Sequence, residues 1–463
     1  VALGLTPSDS TLLELTLGSG DGEARYAGRG MDGTQFKRTH IGVRLLEELQ
    51  GEYLQGVSAQ FYYNYADHIM DNYGLRQPNS AAAMPNMRTA FASQVDRKTL
   101  GWRFKSDWQW RDTDLVLGMD AQWNEHSVRR GPASQYKRQS RNKDAEFRQW
   151  GVFAESVWHL EPYERLVSGV RLDLHEAKDR RNTLCTGMGA CLANPTTDKA
   201  RNTRLYSGFM RYEHDLSSLP ATLYAGVGHS ERFPDYWELF SASNLPVGGG
   251  MKPTGFQPIA FATTKPEKTT QLDLGFHYEH NALSAWGSAY WGEIKDYILF
   301  SYSQGAMAMS SVSNIRARIF GGELGGSYRF APLWKAELSL AYSWGENLTN
   351  DRALPQMPPL EMRSSVTYER EDWSMSALWR LASAQHRVDE MRGNVTGKDF
   401  GPSSGFGVFS INAMYHLNAR WLLSAGIDNL FDKNYSEHLN LAGNAGFGYA
   451  DNPIRINEPG RAS

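Results

Sequence analysis

Methionine is the residue whose placement in this sequence points most directly to chemistry. Many of the 15 methionines fall in or beside long polar segments, and a thioether sulfur is a ligand that suits soft ions such as Cu(I). Met31 follows a Gly-Arg-Gly run near the top of one predicted strand pair, and Met70 ends the strand that rises from Tyr53. Because the predicted strands 35–47 and 53–70 are consecutive, Met31 and Met70 are expected to be neighbours. They are our first-choice metal ligands.

Five further residues are candidates for auxiliary metal ligands. His68 lies two residues before Met70 and therefore on the same face of the predicted strand, where its imidazole could bind an oxidised ion. The other four are methionines in long loops, which would act as capture points on an entry path: Met84, Met87, Met307 and Met309. The alternative is that the loop methionines are adaptable packing residues and that His68 is a simple polar-face histidine.

The two cysteines, Cys185 and Cys191, lie close together in one long loop. The intervening glycines permit the tight turn that a short disulfide loop needs, and sparing use of a close cysteine pair fits an oxidising compartment. A structural disulfide is therefore expected. A soft-metal chelate that includes Met188 is the alternative.

The segments that must position these residues alternate between polar and apolar positions. In residues 271–278, one face of the predicted strand carries Gln, Asp, Gly and His, and the opposite face carries Leu, Leu, Phe and Tyr. Residues 148–160, 409–417 and 421–429 repeat the pattern. A period of two is typical of β-strands that bury or shield one face.

The connections between these strands alternate between tight reversals and long polar loops. About 18 strands are expected, with short turns at one end and elaborate loops at the other, which is typical of a bacterial outer-membrane barrel. The mean hydropathy of −0.51 is compatible with this, because only alternate residues would face lipid. We predict an all-β fold, a large antiparallel up-and-down transmembrane β-barrel in contact with outer-membrane lipid. A soluble sandwich, propeller or β-solenoid is the alternative.

Charge and motifs exclude other function classes. The net charge is −3, which gives no bulk electrostatic signal for nucleic acid. Residues 401–405 (GPSSG) match the letters of the serine-hydrolase elbow, but the Gly/Ser-rich setting lacks the strand, turn and helix that the nucleophile requires. No enzymatic activity is predicted.

Three segments carry a family resemblance. Residues 427–435 (IDNLFDKNY) resemble the signature near the last strand of TonB-dependent outer-membrane receptors. Residues 231–236 (ERFPDY) and 265–270 (KPEKTT) look like the segments that flank a large extracellular loop in the same receptors. The signature positions are Asn429, Leu430, Phe431, Asp432 and Tyr435. The resemblance implies a 22-stranded barrel in the outer membrane of a Gram-negative bacterium, and it covers residues 1–463.

Residues 61–73 (FYYNYADHIMDNY) look like the copper-receptor branch of this superfamily. The resemblance implies a copper ion, Cu(I), as the transported ligand, with Cys and Met of a plug domain completing the site. It also implies coupling to the TonB complex through a box ahead of the plug. The sequence matches neither plug nor box, so residues 1–463 are expected to be the barrel domain alone, with truncated ends and no organic cofactor.

Two other functions remain open at this point. A siderophore or metal-chelate receptor would favour an aromatic and basic vestibule. One loop offers basic side chains for it: Arg129, Arg130, Lys137, Arg138 and Arg141. The third possibility is a passive porin-like or surface-binding barrel, although general porins lack the three family segments.

Overall fold

One long antiparallel sheet makes up most of the molecule. The computed structural model describes residues 1–26, 28–80, 88–185, 191–240, 244–247, 255–302, 310–395, 397–443 and 455–462. The first twelve strands are β1 Ala2–Leu5, β2 Thr11–Gly20, β3 Asp32–Glu48, β4 Leu54–Asp71, β5 Phe91–Trp110, β6 Thr113–Pro132, β7 Asn142–Glu161, β8 Glu164–Asp179, β9 Thr183–Cys185, β10 Cys191–Ala193, β11 Ala200–Asp215 and β12 Ala221–Arg232. The remaining strands are β13 Asn244–Val247, β14 Gly255–Pro258, β15 Glu267–His280, β16 Leu283–Tyr302, β17 Ser310–Ala331, β18 Trp334–Asn347, β19 Arg352–Ala353, β20 Glu361–Glu369, β21 Trp373–Ala382, β22 Arg392–Asn394, β23 Gly397–Lys398, β24 Phe406–Asn418 and β25 Trp421–Ile427.

The long strands follow one another as an up-and-down meander. The main sheet contains 21 strands, and its ladder runs from β1 at one edge to β25 at the other. The small hairpins β9–β10 and β13–β14 lie outside it. All pairings between the long strands are antiparallel, and tight reversals alternate with longer connections along the ladder, as predicted. The predicted all-β class and up-and-down order are confirmed.

The long strands extend beyond the bilayer toward the long-loop end. β5, β6, β7 and β16 each contain 20 residues, and β17 contains 22. About 9–11 residues suffice to cross a bilayer, so each of these strands projects well beyond one. The connections at that end are correspondingly short, and the one between β6 and β7 spans only residues 133–141.

One face of the sheet carries large apolar side chains that are exposed at alternate positions. On β3 these are Ile41, Val43 and Leu45, which the register places opposite Tyr63, Phe61 and Ala59 of β4. Phe61 is 59% exposed. The same band continues round the sheet from strand to strand. An apolar face exposed in this way is expected only where lipid covers it.

Charged residues on the same face form a row above the apolar band, toward the long loops. From β5 to β18 each long strand contributes one residue, and basic and acidic residues alternate. We call this row the charge belt; it consists of Lys98, Glu125, Arg148, Glu176, Arg204, Glu231, Lys268, Glu293, Arg318 and Glu346.

Two short helices, α1 (Tyr236–Phe240) and α2 (Ile259–Thr263), pack against the other face of the sheet. They contribute half of the largest apolar cluster, which covers Ala145, Ala177 and Leu205 of β7, β8 and β11. No helix in the described ranges is long and apolar enough to span a membrane. A single 3-10 turn at Tyr136–Arg138 completes the regular structure in those ranges.

Candidate metal-binding site

Met31 and Met70 lie at the same end of one strand pair. Met70 is the penultimate residue of β4 and is paired with Gly33 of β3, two residues after Met31. Met31 itself directly precedes β3, and both methionine side chains are half-buried. The register therefore brings the two predicted ligands to one rim of the sheet. Their role in binding a metal stays a prediction.

A buried ion pair fixes the backbone beside Met31. Arg76 Nε donates to Asp32 Oδ2 at 2.7 Å, and a second guanidinium nitrogen of Arg76 also contacts this carboxylate. The Tyr26 amide donates to Asp32 Oδ1 at 2.8 Å, and Arg76 donates to the Tyr26 carbonyl, also at 2.8 Å. Asp32 is fully buried, and its hydrogen bond with Arg76 holds its pKa below the usual range. Arg76 thus ties the preceding loop to the start of β3.

A second buried carboxylate closes the end of β4 beside Met70. Asp71 is paired with Asp32 across the two strands. It accepts hydrogen bonds from the Thr34 hydroxyl at 2.6 Å and from the amides of Tyr73 and Gly74 at 3.0 and 2.6 Å. These bonds satisfy the carboxylate within the protein, so Asp71 acts as a turn residue and both rim methionines sit on a rigid base.

His68 lies on the same strand as Met70 and on the same face. Its ring packs edge-on against Phe36, with the ring centroids 4.9 Å apart. Burial lowers the pKa of His68, which keeps the imidazole neutral at neutral pH. Its Nε2 atom is buried and has no hydrogen-bond partner among the described residues. A neutral, unpartnered ring nitrogen is suited to metal binding.

The donor atoms at this rim are two thioethers and one imidazole. Soft sulfur donors select soft ions, above all Cu(I). In the described part of the chain, no group of three or more His, Cys, Asp and Glu residues is arranged to hold a metal ion. The donor types at this rim are those that a soft ion prefers.

The structure describes only some of the remaining predicted site residues. Met84, Met87, Met307 and Met309 lie outside the described residues. In the hairpin of β9 and β10, Cys185 is paired with Cys191, which is the register that the predicted disulfide needs. The disulfide itself stays a prediction, although the described part of the chain holds no free cysteine.

The GPSSG segment contributes to a buried polar cluster between loops. Ser403 Oγ and His438 Nδ1 are 2.9 Å apart, and His438 Nε2 is 3.8 Å from Asp399 Oδ1. The two oxygens of Asp399 instead accept the amides of Gln356 and Asp389, each at 2.9 Å. A hydrolase triad needs the carboxylate to orient the imidazole through a hydrogen bond, and this carboxylate is used to join loops.

The residues of the NLFDKxY signature form a turn where the chain leaves the sheet. Asn429 is buried and has a φ of 50°. Its side chain accepts from the Lys433 amide at 2.8 Å and donates to the Lys433 carbonyl at 2.9 Å. Leu430 donates its amide to Phe409, and the ring of Tyr435 packs on Phe406. Asp432 accepts from the Arg461 amide at 2.9 Å, while Phe431 is exposed.

Sequence reasoning missed the residues that support the rim. Asp32, Asp71 and Arg76 are polar residues in or beside polar loops, so neither hydrophobic periodicity nor a motif distinguishes them. A carboxylate directly after Met31 and another directly after Met70 were visible in the sequence. That repetition was the available signal.

The fold and the lipid-type face together define the class. A long up-and-down antiparallel ladder, apolar and exposed on one face, with short turns at one end and long loops at the other, is a transmembrane β-barrel. The polar face is then the lumen, and the long loops lie at the extracellular end.

The comparisons with known proteins identify the family. The family described as TonB dependent receptor-like, beta-barrel, matches residues 2–430. This chain belongs to the TonB-dependent receptors of the Gram-negative outer membrane, and the predicted family, fold and location are confirmed. A comparison with curated proteins finds no match.

Several solved structures are similar to this chain. The copper transporter OprC is 51% identical, with a TM-score of 0.93, over 99% of this chain and 69% of that one. The ferric enterobactin receptor PfeA from Pseudomonas aeruginosa is 19% identical, with a TM-score of 0.72, over 99% and 67% of the two chains. The ferric-catecholate import receptor Fiu from E. coli K12 is 13% identical, with a TM-score of 0.66, over 99% and 72%. The last two share the fold.

Proposed function

We propose that this chain is the barrel of a copper receptor in which Met31 and Met70 capture the ion at the extracellular rim. Residues 1–463 form one barrel domain. Transport through it depends on a plug domain and on the TonB complex, because a wide barrel supplies no direction of its own. The role is transport and not catalysis, and copper is the cargo.

The strand register is the observation that carries this proposal. It pairs Met70 with Gly33 and so brings Met31 to the same rim and the same pair of strands. The similarity to the copper transporter OprC, at 51% identity over nearly the whole chain, supports copper as the ligand. Neutral His68 adds an imidazole beside Met70.

Cu(I) is the form that this rim favours. Thioether sulfur binds Cu(I) in preference to harder ions, whereas carboxylates would be needed for the harder ions. The two carboxylates nearest the methionines are already engaged: Asp32 by Arg76, and Asp71 by Thr34 and backbone amides. Sulfur is therefore the main donor left to the ion.

The basic loop that favoured a siderophore receptor is partly occupied by internal contacts. Arg129 donates to Gln94 at 2.8 Å and to the Lys137 carbonyl at 2.9 Å. Arg141 binds both Asp67, at 2.8 Å, and Asp96. Guanidinium groups held in this way stabilise the barrel wall and are poorly placed to bind an anionic chelate. This supports copper over the siderophore alternative.

The test is Cu(I) binding by the receptor with Met31→Leu and Met70→Leu, singly and together, measured by competition with a Cu(I) chelator. Leucine keeps the volume and apolar character of methionine and removes only the sulfur. We expect each single variant to bind Cu(I) more weakly because it lacks one soft donor, and the double variant to bind it more weakly still.

The matched control is Met210→Leu. Met210 lies on the lipid-facing side of β11 and is 50% exposed, so the variant should bind Cu(I) as the parent does. Unchanged affinity in the Met31 and Met70 double variant would discard the site, and a loss of ferric-chelate binding on replacing Arg130 would favour the siderophore alternative.

A further inference from the structure

The charge belt neutralises itself along most of its length. Lys98 is paired directly across the strands with Glu125, and Arg148 is paired with Glu176. Lys268 Nζ lies 2.8 Å from a carboxylate oxygen of Glu231. Because each of these cations has an acidic residue opposite, the summed charge of these parts of the belt is small.

Arg318 is the most fully neutralised cation of the belt. It lies between two acidic residues, since it is paired with Glu293 on β16 and with Glu346 on β18. Its guanidinium contacts Glu293 at 3.0 Å.

Arg204 departs from this pattern. The register places it opposite Leu174, an apolar residue of the lipid-facing band. Among the described residues no carboxylate lies within ion-pair distance of its guanidinium. The belt glutamate on the next strand, Glu231, is already bound by Lys268 and by the Tyr206 amide, the latter at 3.2 Å. The positive charge of Arg204 is exposed.

A groove lies beside Arg204 on the outer surface of β7, β8 and β11. It has a volume of about 420 Å³. Arg148 and Arg204 lie at its belt side, with Glu176 between them along the sheet, and Trp150 and Leu174 form its apolar floor. Trp150 and Leu174 are each 47% exposed, and they continue into the lipid-facing band. With two arginines and one glutamate, the groove is net positive.

We propose that this groove binds an outer-leaflet lipid through a phosphate of its headgroup. Arg204 and Arg148 donate charge-assisted hydrogen bonds to the phosphate oxygens. Arg148 is available for this because its side chain is half exposed and its contact with Glu176 is long, at 3.7 Å. Arginine suits this role because its guanidinium matches phosphate geometry with two parallel donors. An acyl chain of the same lipid lies along Trp150 and Leu174. The apolar floor selects a lipid over free phosphate.

The test is lipid retention by the receptor in nanodiscs that contain phosphorylated lipid A, measured by native mass spectrometry after release into detergent. Arg204→Gln should lower the retained fraction about fivefold, since a cation at a membrane surface contributes about that factor. Arg318→Gln is the matched control, because Arg318 lies between two glutamates, and it should leave retention unchanged. Heat-modifiable migration on gels confirms that both variants are folded.

Two further experiments distinguish binding of the lipid phosphate from binding of the acyl chain alone or of free phosphate. Nanodiscs with dephosphorylated lipid A should show retention as low as that of the Arg204 variant, and excess inorganic phosphate should fail to displace the bound lipid. Equal retention of the two lipids would reduce the site to an apolar groove and overturn the proposal. Complete displacement by phosphate, or a loss of equal size in the Arg318 variant, would overturn it as well.

Discussion

The two rim methionines rest on residues that are buried, charged and paired. The contacts of Arg76 with Asp32, Tyr26 and the Arg29 carbonyl hold the segment that presents Met31. A buried ion pair is weak evidence for overall stability, but removal of one partner leaves the other charge buried and unpaired. The positions of the metal ligands therefore depend on a residue that contacts neither of them.

Arg76→Gln should loosen the loop before β3 and weaken copper capture. Loss of one partner of a buried pair costs about 3–5 kcal/mol. Here the loss lowers the free energy that is needed to open the loop locally. The amides of Tyr26 and Gly33, which bond to Asp32 and to the Ala24 carbonyl, should exchange their hydrogens at least about tenfold faster.

Arg103→Gln is the matched control for that experiment. Arg103 contacts Asp120 at 3.3 Å but is half exposed, so its loss should cost less than about 1 kcal/mol. Slow exchange at Tyr26 and Gly33 in the Arg76 variant would show that the pair does not hold the loop.

Some features of the rim could be predicted from single residues of the sequence, and others could not. Met31 and Met70 could be predicted because each lies at the predicted end of a strand, and consecutive antiparallel strands bring such ends together. The bond between Arg76 and Asp32 could not be predicted, because 44 residues separate the partners and a polar residue in a polar loop has no pattern to mark its partner.

The membrane-spanning parts of the strands could be predicted from the sequence. The parts that extend beyond the membrane on the extracellular side were harder to predict. Within the membrane, alternation is enforced because one face must be apolar. Above it, the outer face of β5 carries polar residues: Gln94 donates to Asp67 at 2.8 Å, and Asp96 is bound by Arg141. Because the period-two signal ends there, the alternation does not mark the start of β5, which lies at Phe91.

The loops at the extracellular end are joined by the buried cluster of Ser403, His438 and Asp399. Burial lowers the pKa of His438 to about 4, so the unfolded loop binds a proton more readily than the folded one between about pH 6.5 and pH 4. The stability that His438 contributes is complete above pH 6.5 and is lost as the pH falls toward 4. Asp399, whose pKa burial raises, acts in the opposite sense.

His438→Gln isolates this contribution. In the parent, proteolysis of the loop that contains residues 399–405 should speed up as the pH falls from 6.5 to 4, and in the variant this acceleration should be smaller. Limited proteolysis with an acid-active protease measures both. An identical pH profile in parent and variant would contradict the assignment to His438.

Across the whole molecule, composition and alternation were enough to predict the barrel, because a lipid-facing sheet constrains every second residue. The charge belt was not predicted. Its signal was nevertheless in the sequence: on most strands from β5 to β18 a charged residue stands two positions beyond the last apolar outward residue, as Lys98 does beyond Leu100 and Glu125 beyond Trp123. The alternating sign became visible only when the register placed the strands side by side.

Copper K-edge X-ray absorption of the receptor loaded with Cu(I) tests the central claim most directly, because it reports the atoms bound to the ion. The account predicts sulfur scattering that weakens in each of the Met31→Leu and Met70→Leu variants and weakens further in the double variant, while Met210→Leu matches the parent. A first shell of nitrogen and oxygen alone, or sulfur scattering that is identical in parent and double variant, would contradict it.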